Sequence, residues 1–304
     1  MLVYDIRNLV KQYPGQQQPA NDHITLQIEQ GEIFGLLGDN GAGKSTLVQQ
    51  MVNLIAPTSG EIWLWQRPLS QHPHLPASTV GYMPQAGEAL NSLTVAESLY
   101  FTAHLRGLSR AEARQERERL LALWELEPLR QRIPAQLSGG QKRLLQIAVA
   151  IAGSPPVLIL DEPTNHLDPQ RRQLVWQNLR QLNRSTGTTI IFITHDAIEA
   201  EKIIQRVGIL RAGRLVALGK PGELKKQVDQ LLRLELFFDP ATPPTLPPSF
   251  NPISIEPGRW LLRLPQEAIT AVFTHLDLTQ LDDFRLHSAT LEDLYMHYAT
   301  QRDE

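Results

Sequence analysis

Cysteine is absent from this chain of 304 residues. Without cysteine the protein can have neither a disulfide framework nor a thiolate metal site. Long apolar runs are also lacking, because no stretch approaches the roughly 18 consecutive apolar residues of a membrane-spanning helix. Residues 1–5 do not combine a basic segment with an apolar run, so no signal peptide is predicted. We therefore expect a cytoplasmic protein that acts at a membrane only through a membrane-spanning partner.

An excess of positive charge is lacking as well. The sequence has 29 Lys and Arg residues against 32 Asp and Glu residues, and its formal net charge is -3. Proteins that bind nucleic acids usually present a strongly basic surface, so no nucleic-acid partner is expected. The hydrophobic content of 42% is ordinary for a globular protein with a large core.

The alternation of apolar and helical segments indicates the fold class. Apolar runs of strand length occupy residues 33–37, 157–160 and 189–194, and helical patterns separate them. This order predicts an α/β domain with a largely parallel sheet. Residues 94–153 contain helix formers and no strand pattern, so they are interpreted as a helical subdomain inserted between strands.

A change of composition marks a second domain. Residues 1–225 are predicted to form the large domain, and residues 226–304 a small α+β appendage. Prolines crowd residues 240–257, which favours an extended loop there. Beyond this loop the pattern predicts a strand, a helix, a second strand and a final helix at residues 291–299.

Residues 38–45 match the Walker A pattern in full, with a strand before them and a helix after them. Glycines allow successive backbone N–H groups to face phosphate oxygens, and the following helix adds the positive end of its dipole. Lys44 is suited to neutralise the β- and γ-phosphates, and the Ser45 hydroxyl is suited to bind Mg²⁺. The predicted nucleotide-binding residues are Gly38, Asp39, Asn40, Gly41, Ala42, Gly43, Lys44, Ser45 and Thr46.

Acidic residues follow a second apolar strand directly. Asp161 and Glu162 come after residues 157–160, at the carboxyl end of a buried strand, where open α/β sheets bind ligands. Asp161 is suited to hold Mg²⁺ through water, and Glu162 to polarise an attacking water molecule. His195 ends a neighbouring strand and is expected at the same edge. Taken alone, such an acidic pair is as often the start of a loop, and a single histidine there is usually structural.

Residues 137–141 have the sequence Leu-Ser-Gly-Gly-Gln. At this point the chain resembles the ABC ATPase family, whose signature motif is LSGGQ. The Walker A loop, Gln85, the signature, the acidic pair, Asp168 and His195 follow one another in the family's order within residues 1–225. The resemblance implies an α/β P-loop NTPase core with a mixed β-sheet, hydrolysis of ATP, and Mg²⁺ as cofactor.

The resemblance also implies roles for single residues. Tyr13 matches the aromatic residue that stacks on adenine, and Gln85 the glutamine that senses Mg²⁺. Asp168 resembles the residue that reaches across a dimer, and His195 the histidine that contacts the γ-phosphate. The signature residues, which close over ATP held by the other subunit, are Ser138, Gly139, Gly140 and Gln141. With one copy of each motif, the chain is expected to pair with an identical or closely related ATPase subunit.

Family members of this kind drive a polytopic membrane permease from the inner face of the cell membrane. Residues 31–38 and 288–295 resemble ATPase subunits of drug, antibiotic and polysaccharide exporters, which favours export. Residues 164–168 look more like the branch of the family that acts on ribosomes, and the ATPase subunit of an importer is a further alternative. A single cassette and a negative net charge favour transport over translation. The permease is expected to bind near residues 85–95.

Overall fold

The structure is a computed structural model, and it describes residues 1–85, 92–196, 201–228, 231–247, 250–288, 290 and 293–294. The chain divides into two compact units, Met1–Gly219 and Lys220–Glu304. This division lies a few residues before the boundary predicted after residue 225. It falls earlier because the last strand of the first unit ends at Gly219 and a new helix begins at Pro221.

A six-stranded sheet forms the centre of the first unit. Its strands lie in the order β10-β9-β3-β8-β7-β6, and all neighbours are parallel except β10 and β9. The central strands β3, β7 and β8 are buried at every residue, as expected of parallel strands covered on both faces. The strands are β3 (Ile33–Gly38), β6 (Val80–Met83), β7 (Val157–Asp161), β8 (Thr189–Thr194), β9 (Arg206–Arg211) and β10 (Arg214–Gly219).

An antiparallel sheet accompanies it, in the order β2-β1-β4-β5. Buried and exposed residues alternate along β2, so one face of this sheet packs on the core. The sequence analysis did not predict this second sheet. Its strands are β1 (Leu2–Lys11), β2 (Asn21–Glu29), β4 (Ser59–Leu64) and β5 (Arg67–Pro68).

Four of the described helices of the first unit begin where the sequence supplies an N-terminal cap, at Thr94, Ser109, Ser138 and Asp168. Thr94 with Glu97, and Ser109 with Glu112, form reciprocal capping boxes at the starts of α3 and α4. Residues 92–156, all of them described, contain helices and no strand. The helices are α1 (Lys44–Met51), α2 (Leu75–Thr79), α3 (Val95–Leu105), α4 (Arg110–Leu123), α5 (Gly139–Ile151) and α6 (Pro169–Thr186).

The second unit contains a four-stranded antiparallel sheet with strands in the order β12-β13-β11-β14, and its described residues include the helices α7 and α8. Within residues 240–257, predicted as an extended loop, residues 253–256 form the edge strand β12. An edge strand tolerates the flanking prolines because one side of it makes no ladder hydrogen bonds. The predicted helix at residues 291–299 lies almost entirely outside the described residues. The elements are α7 (Pro221–Val228), β11 (Leu232–Phe237), β12 (Ile253–Glu256), β13 (Arg259–Leu264), α8 (Ile269–His275) and β14 (Asp283–His287).

The topology of the central sheet determines where the site lies. Strands β3, β6, β7 and β8 are parallel, so their carboxyl ends meet at one edge. The Walker A loop, Gln85, the acidic pair and His195 each follow one of these ends. Among the helices that the structure describes, none is long and apolar enough to cross a membrane.

Candidate functional site

A cavity of about 600 Å³ opens over the Walker A loop. The Nζ of Lys44 lies within it and donates to the carbonyl oxygens of Gly38 and Asp39, at 2.6 and 2.9 Å. Burial lowers the pKa of Lys44, while the nearby carboxylates of Glu162 and Asp161 act in the opposite direction. The cavity is lined by Tyr13, Gln16, Gln18, Pro19, Ala20, Asp39, Asn40, Gly41, Gly43, Lys44, Ser45, Thr46, Gln85, Asp161, Glu162, Ala212 and Gly213.

Gly43 shows why the loop needs glycine. Its φ angle is 99°, in the left-handed region, and a Cβ at this position would lie 2.1 Å from the carbonyl oxygen of Ala20. The carbonyl of the preceding residue, Ala42, accepts from the backbone N–H of Gly213 at 3.1 Å. Of the predicted nucleotide-binding residues in this loop, Gly38 and Ala42 do not line the cavity and instead support it from behind.

Ser45 and Asp161 meet at the side of the cavity, where the Ser45 Oγ donates to Asp161 Oδ2 at 3.4 Å. Burial, followed by repulsion from Glu162, raises the pKa of Asp161 to about 6. Two oxygen ligands beside a phosphate-binding loop suit Mg²⁺, which completes its octahedron with water and phosphate oxygens. Within the described residues, no group of three or more His, Cys, Asp or Glu side chains is placed to hold a metal ion.

Glu162 lies next to Asp161 but is held by different partners. Its side chain is only 4% exposed, and its Oε1 is 2.7 Å from His195 Nδ1. The backbone N–H of His195 also donates to Oε1, at 3.1 Å, and the Thr194 hydroxyl donates to Oε2 at 3.2 Å. The side chain of His195, in contrast, is 53% exposed. A buried carboxylate beside a solvent-facing imidazole can exchange hydrogen-bond partners when a phosphate arrives.

Arg143 is a site residue that the sequence analysis missed. From helix α5 it donates to the carbonyl oxygen of Glu162 at 2.7 Å and to that of Gln85 at 3.1 Å. Glu162 has a φ angle of 53°, unusual for a residue other than glycine. Its N–H donates to Ile193 at 2.8 Å, so both backbone groups of Glu162 are anchored. Arg143 could not be singled out from the sequence, because it lies within an ordinary helical pattern and matches no motif.

The signature turn lies elsewhere. Ser138 caps α5 through a reciprocal box with Gln141, and Gly140 packs beside Arg171 and Leu167. Asp168 caps α6 by accepting from the N–H of Arg171, which lowers the pKa of Asp168. Among the described residues, neither the signature residues 138–141 nor Asp168 lines the cavity of the same chain.

Tyr13 also lines the cavity and lies in the loop that follows β1. The ammonium group of Lys11 lies 5.3 Å from the centre of its ring. Gln16 and Gln18 from the same loop also line the cavity. A half-buried ring at the mouth of a phosphate pocket can stack on a flat, uncharged base.

Comparisons with known proteins agree with this geometry. The family described as ABC transporter matches residues 21–165. The Nod factor export ATP-binding protein I of Cupriavidus metallidurans is 37% identical over 222 residues, covering 73% of this chain and 72% of that protein. The methionine import ATP-binding protein MetN of Thermobifida fusca is 39% identical over 235 residues, covering 76% and 73%.

A third relative aligns with both units. The ATP-binding cassette sub-family A member 7 of Rattus norvegicus is 32% identical over 313 residues, covering 98% of this chain but 14% of that longer protein. Among solved structures, a dimeric ATP-binding cassette in a post-hydrolysis state with ADP and Pi has a TM-score of 0.67 and 28% identity. That comparison covers 71% of this chain and 98% of the other. By fold, by site and by these relatives, the chain belongs to the ABC transporter family as an ATP-binding cassette with an ABC ATPase fold.

Proposed function

We propose that this chain hydrolyses ATP as one half of a dimer, and that a separate membrane subunit uses the resulting movement for export. The observation that carries the dimer is the placement of the signature turn and Asp168 outside the chain's own cavity. Each nucleotide would then lie between the Walker A loop of one copy and residues 138–141 of the other. The second copy is either identical or a close relative.

In this reaction the phosphates lie at the N-terminus of α1, where Lys44 and the loop amides face them. Glu162 orients a water molecule for in-line attack on the γ-phosphate. Mg²⁺, held by Ser45, Asp161 and Gln85, would supply positive charge to the β- and γ-phosphates. Tyr13 stacks on the adenine ring.

His195 acts as the switch. It holds Oε1 of Glu162 through two donors, its ring and its backbone N–H. When the γ-phosphate draws the imidazole away, Oε1 loses one donor and gains the capacity to accept from water. The hydrogen bond from Thr194 keeps Oε2 in place during this exchange.

The membrane partner is proposed to bind near residues 85–95, of which 86–91 lie outside the described part of the chain. The neighbouring helix α3 presents Phe101 and Leu105, whose exposed fractions are 42% and 85%. Exposed apolar side chains on adjacent turns suit a protein partner. Export is supported by the resemblance of residues 31–38 and 288–295 to exporter subunits and by the Nod factor export relative. The methionine import relative keeps import as the alternative.

Glu162→Gln is the test of the catalytic dimer. The amide keeps the shape of the side chain but cannot accept a proton, so we expect turnover to fall about 100-fold or more while ATP still binds. Size-exclusion chromatography with ATP should then show an accumulated dimer that ADP does not produce. The matched control is Glu32→Gln, which alters a carboxylate paired with Arg206 outside the cavity. Normal turnover in Glu162→Gln would remove this residue from its role.

The partner and the direction of transport need a different experiment. Affinity purification from detergent-solubilised membranes should recover a polytopic membrane protein with this chain. Loss of the gene should then raise the cellular level of the substrate if the system exports, and lower it if the system imports. Co-sedimentation with ribosomes in place of a membrane partner would favour the translation-associated alternative.

A further inference from the structure

Two amide side chains are buried directly behind the Walker A loop. Asn21, at the start of β2, is 0% exposed, and Gln50 on α1 is 1% exposed. The Nε2 of Gln50 donates to Asn21 Oδ1 at 2.7 Å and to the carbonyl oxygen of Thr46 at 3.1 Å. The Nδ2 of Asn21 donates to the carbonyl oxygen of Gly43 at 3.0 Å. Burying an amide costs free energy that burying an apolar side chain does not, so a buried amide pair at this position indicates a specific role.

The contact with Gly43 orients one peptide group of the loop. A trans peptide is planar and its N–H points opposite to its C=O. Asn21 holds the Gly43 carbonyl from behind, so the N–H of Lys44 is directed toward the cavity. The Ala42 carbonyl is held in the same way by the N–H of Gly213, which directs the N–H of Gly43. Two consecutive amides are thus oriented by groups outside the loop.

The loop has no side-chain support of its own at this point. Gly43 occupies the N-cap position of α1 without a side-chain cap, and its carbonyl also accepts the first helical hydrogen bond, from Leu47 at 2.9 Å. The close approach of the backbone at Ala20, 2.1 Å from a hypothetical Cβ on Gly43, brings Asn21 within reach. Asn21 therefore gives the Gly43 carbonyl a second donor from outside the loop, beside the N–H of Leu47.

Gln50 decides which end of the Asn21 amide faces Gly43. By donating to Oδ1, it leaves Nδ2 as the group that meets the carbonyl. Without this donor the amide can rotate by half a turn and place two acceptors against each other. Among the described residues, the Oε1 of Gln50 is buried and has no hydrogen-bond partner, which costs free energy that the hydrogen bonds of its Nε2 offset.

We propose that Asn21 is a positioning residue for phosphate binding, and that Gln50 holds its amide in the productive orientation. Among the described residues that line the cavity, neither Asn21 nor Gln50 is included. They act through the Gly43–Lys44 peptide, whose N–H belongs to the phosphate-binding turn. The proposal rests on nucleotide binding alone and is independent of the membrane partner and of the direction of transport.

The experiment separates positioning from packing through a double variant. Asn21→Leu alone leaves Gln50 with a lost acceptor and is expected to lower both the melting temperature and the affinity for nucleotide. Asn21→Leu with Gln50→Met replaces both amides by apolar side chains of similar size, and should restore most of the melting temperature. Its Kd for a fluorescent ADP analogue should stay about 5-fold above that of the wild type, as expected for one lost hydrogen bond.

Asn183→Leu is the matched control. Asn183 is also a buried asparagine that donates to backbone carbonyls, of Gly31 and Thr188, both at 2.8 Å and outside the cavity. It should lose stability with an unchanged Kd. In steady-state hydrolysis the double variant should raise KM by about the same factor as Kd and change kcat less than about 2-fold, because Glu162 is untouched.

An unchanged Kd in the double variant would overturn the proposal and leave the pair as packing. Should the double variant fail to fold, Gln50→Met alone serves, because it keeps the volume of the side chain and removes the orienting donor, together with its hydrogen bond to the Thr46 carbonyl. Its Kd should rise about 2- to 3-fold, and its melting temperature should fall because the Oδ1 of Asn21 is left buried without its donor. A wild-type Kd in that variant would equally refute the role. Because binding is measured without turnover, a loss of ATPase activity for another reason does not affect the measured Kd.

Discussion

Replacing Arg143 with methionine removes the side chain that connects α5 to the backbone of Gln85 and Glu162. Two hydrogen bonds from a charged donor to backbone carbonyls are lost, together with one to the Oε1 of Gln146, and a bond of this kind contributes roughly 1.5–3 kcal/mol. Burial lowers the pKa of Arg143, and its Nε finds no hydrogen-bond partner in the described part of the chain, so relief of desolvation offsets part of the loss. We expect a net decrease of about 2–3 kcal/mol in the free energy of unfolding.

The effect on catalysis follows from the backbone of Glu162. Its left-handed conformation costs about 1–2 kcal/mol for a residue other than glycine. Arg143 and the Ile193 carbonyl hold that conformation from its two sides. Without Arg143 the backbone relaxes, and we expect kcat to fall about 10-fold, which corresponds to about 1.4 kcal/mol in the barrier. KM should change little, because Lys44 and the loop amides are not involved.

Steady-state ATPase kinetics and chemical unfolding measure both effects. The control is Arg106→Met, since Arg106 also donates to backbone carbonyls, at Val149, Ala150 and Ala152, and does not line the cavity. That variant should lose comparable stability with an unchanged kcat. If Arg143→Met kept its kcat within about 2-fold of the wild type while losing stability, the argument from the Glu162 backbone would be refuted.

Two further predictions concern Tyr13 and Asp161, which both line the cavity. Stacking on a base contributes roughly 1–3 kcal/mol, so Tyr13→Ala should raise the Kd for ATP about 10-fold. Tyr13→Phe keeps the aromatic ring and should leave the Kd unchanged. Equal titration curves for the wild type and Tyr13→Ala would contradict stacking. Burial raises the pKa of Asp161 from 3.8 to about 6, so the charged carboxylate destabilises the folded protein at neutral pH. In the absence of nucleotide and Mg²⁺, Asp161→Asn should therefore raise the free energy of unfolding at pH 7.5 by about 3 kcal/mol. The cost of the charged form is present above pH 6 and disappears as the pH falls toward 4, so urea unfolding at pH 4.5 should show a much smaller difference; a difference that does not vary with pH would refute it.

The motifs and their order were predictable from the sequence because they depend on local constraints. The Walker A loop requires glycines between a strand and a helix, and the acidic pair must follow a buried apolar strand. The carboxyl ends of parallel strands share one edge, so the convergence of Lys44, Asp161 and His195 followed from the strand pattern. Local pattern was weaker at element ends. Leu54, for example, continues the apolar face of α1 in the sequence but lies beyond its end and is 66% exposed.

The antiparallel sheet escaped prediction because its pairs join segments distant in the chain. Strand β1 pairs with both β2 and β4, and the register of these pairs is set by packing against the core, not by any short motif. The division at Gly219 was also not marked by any short motif. Pro221 can be recognised as the start of a new helix only once the preceding strand is known to end at Gly219.

What the sequence determined by itself is therefore the chemistry: a phosphate loop, an acidic pair, a signature turn and one copy of each. What only the tertiary structure decided is which side chains hold those groups in place. Arg143 reaches Glu162 from a distant helix, and Asn21 reaches Gly43 through an amide turned by Gln50. Such contacts join residues far apart in the chain, and they depend on packing distances of a few tenths of an ångström that no residue pattern encodes.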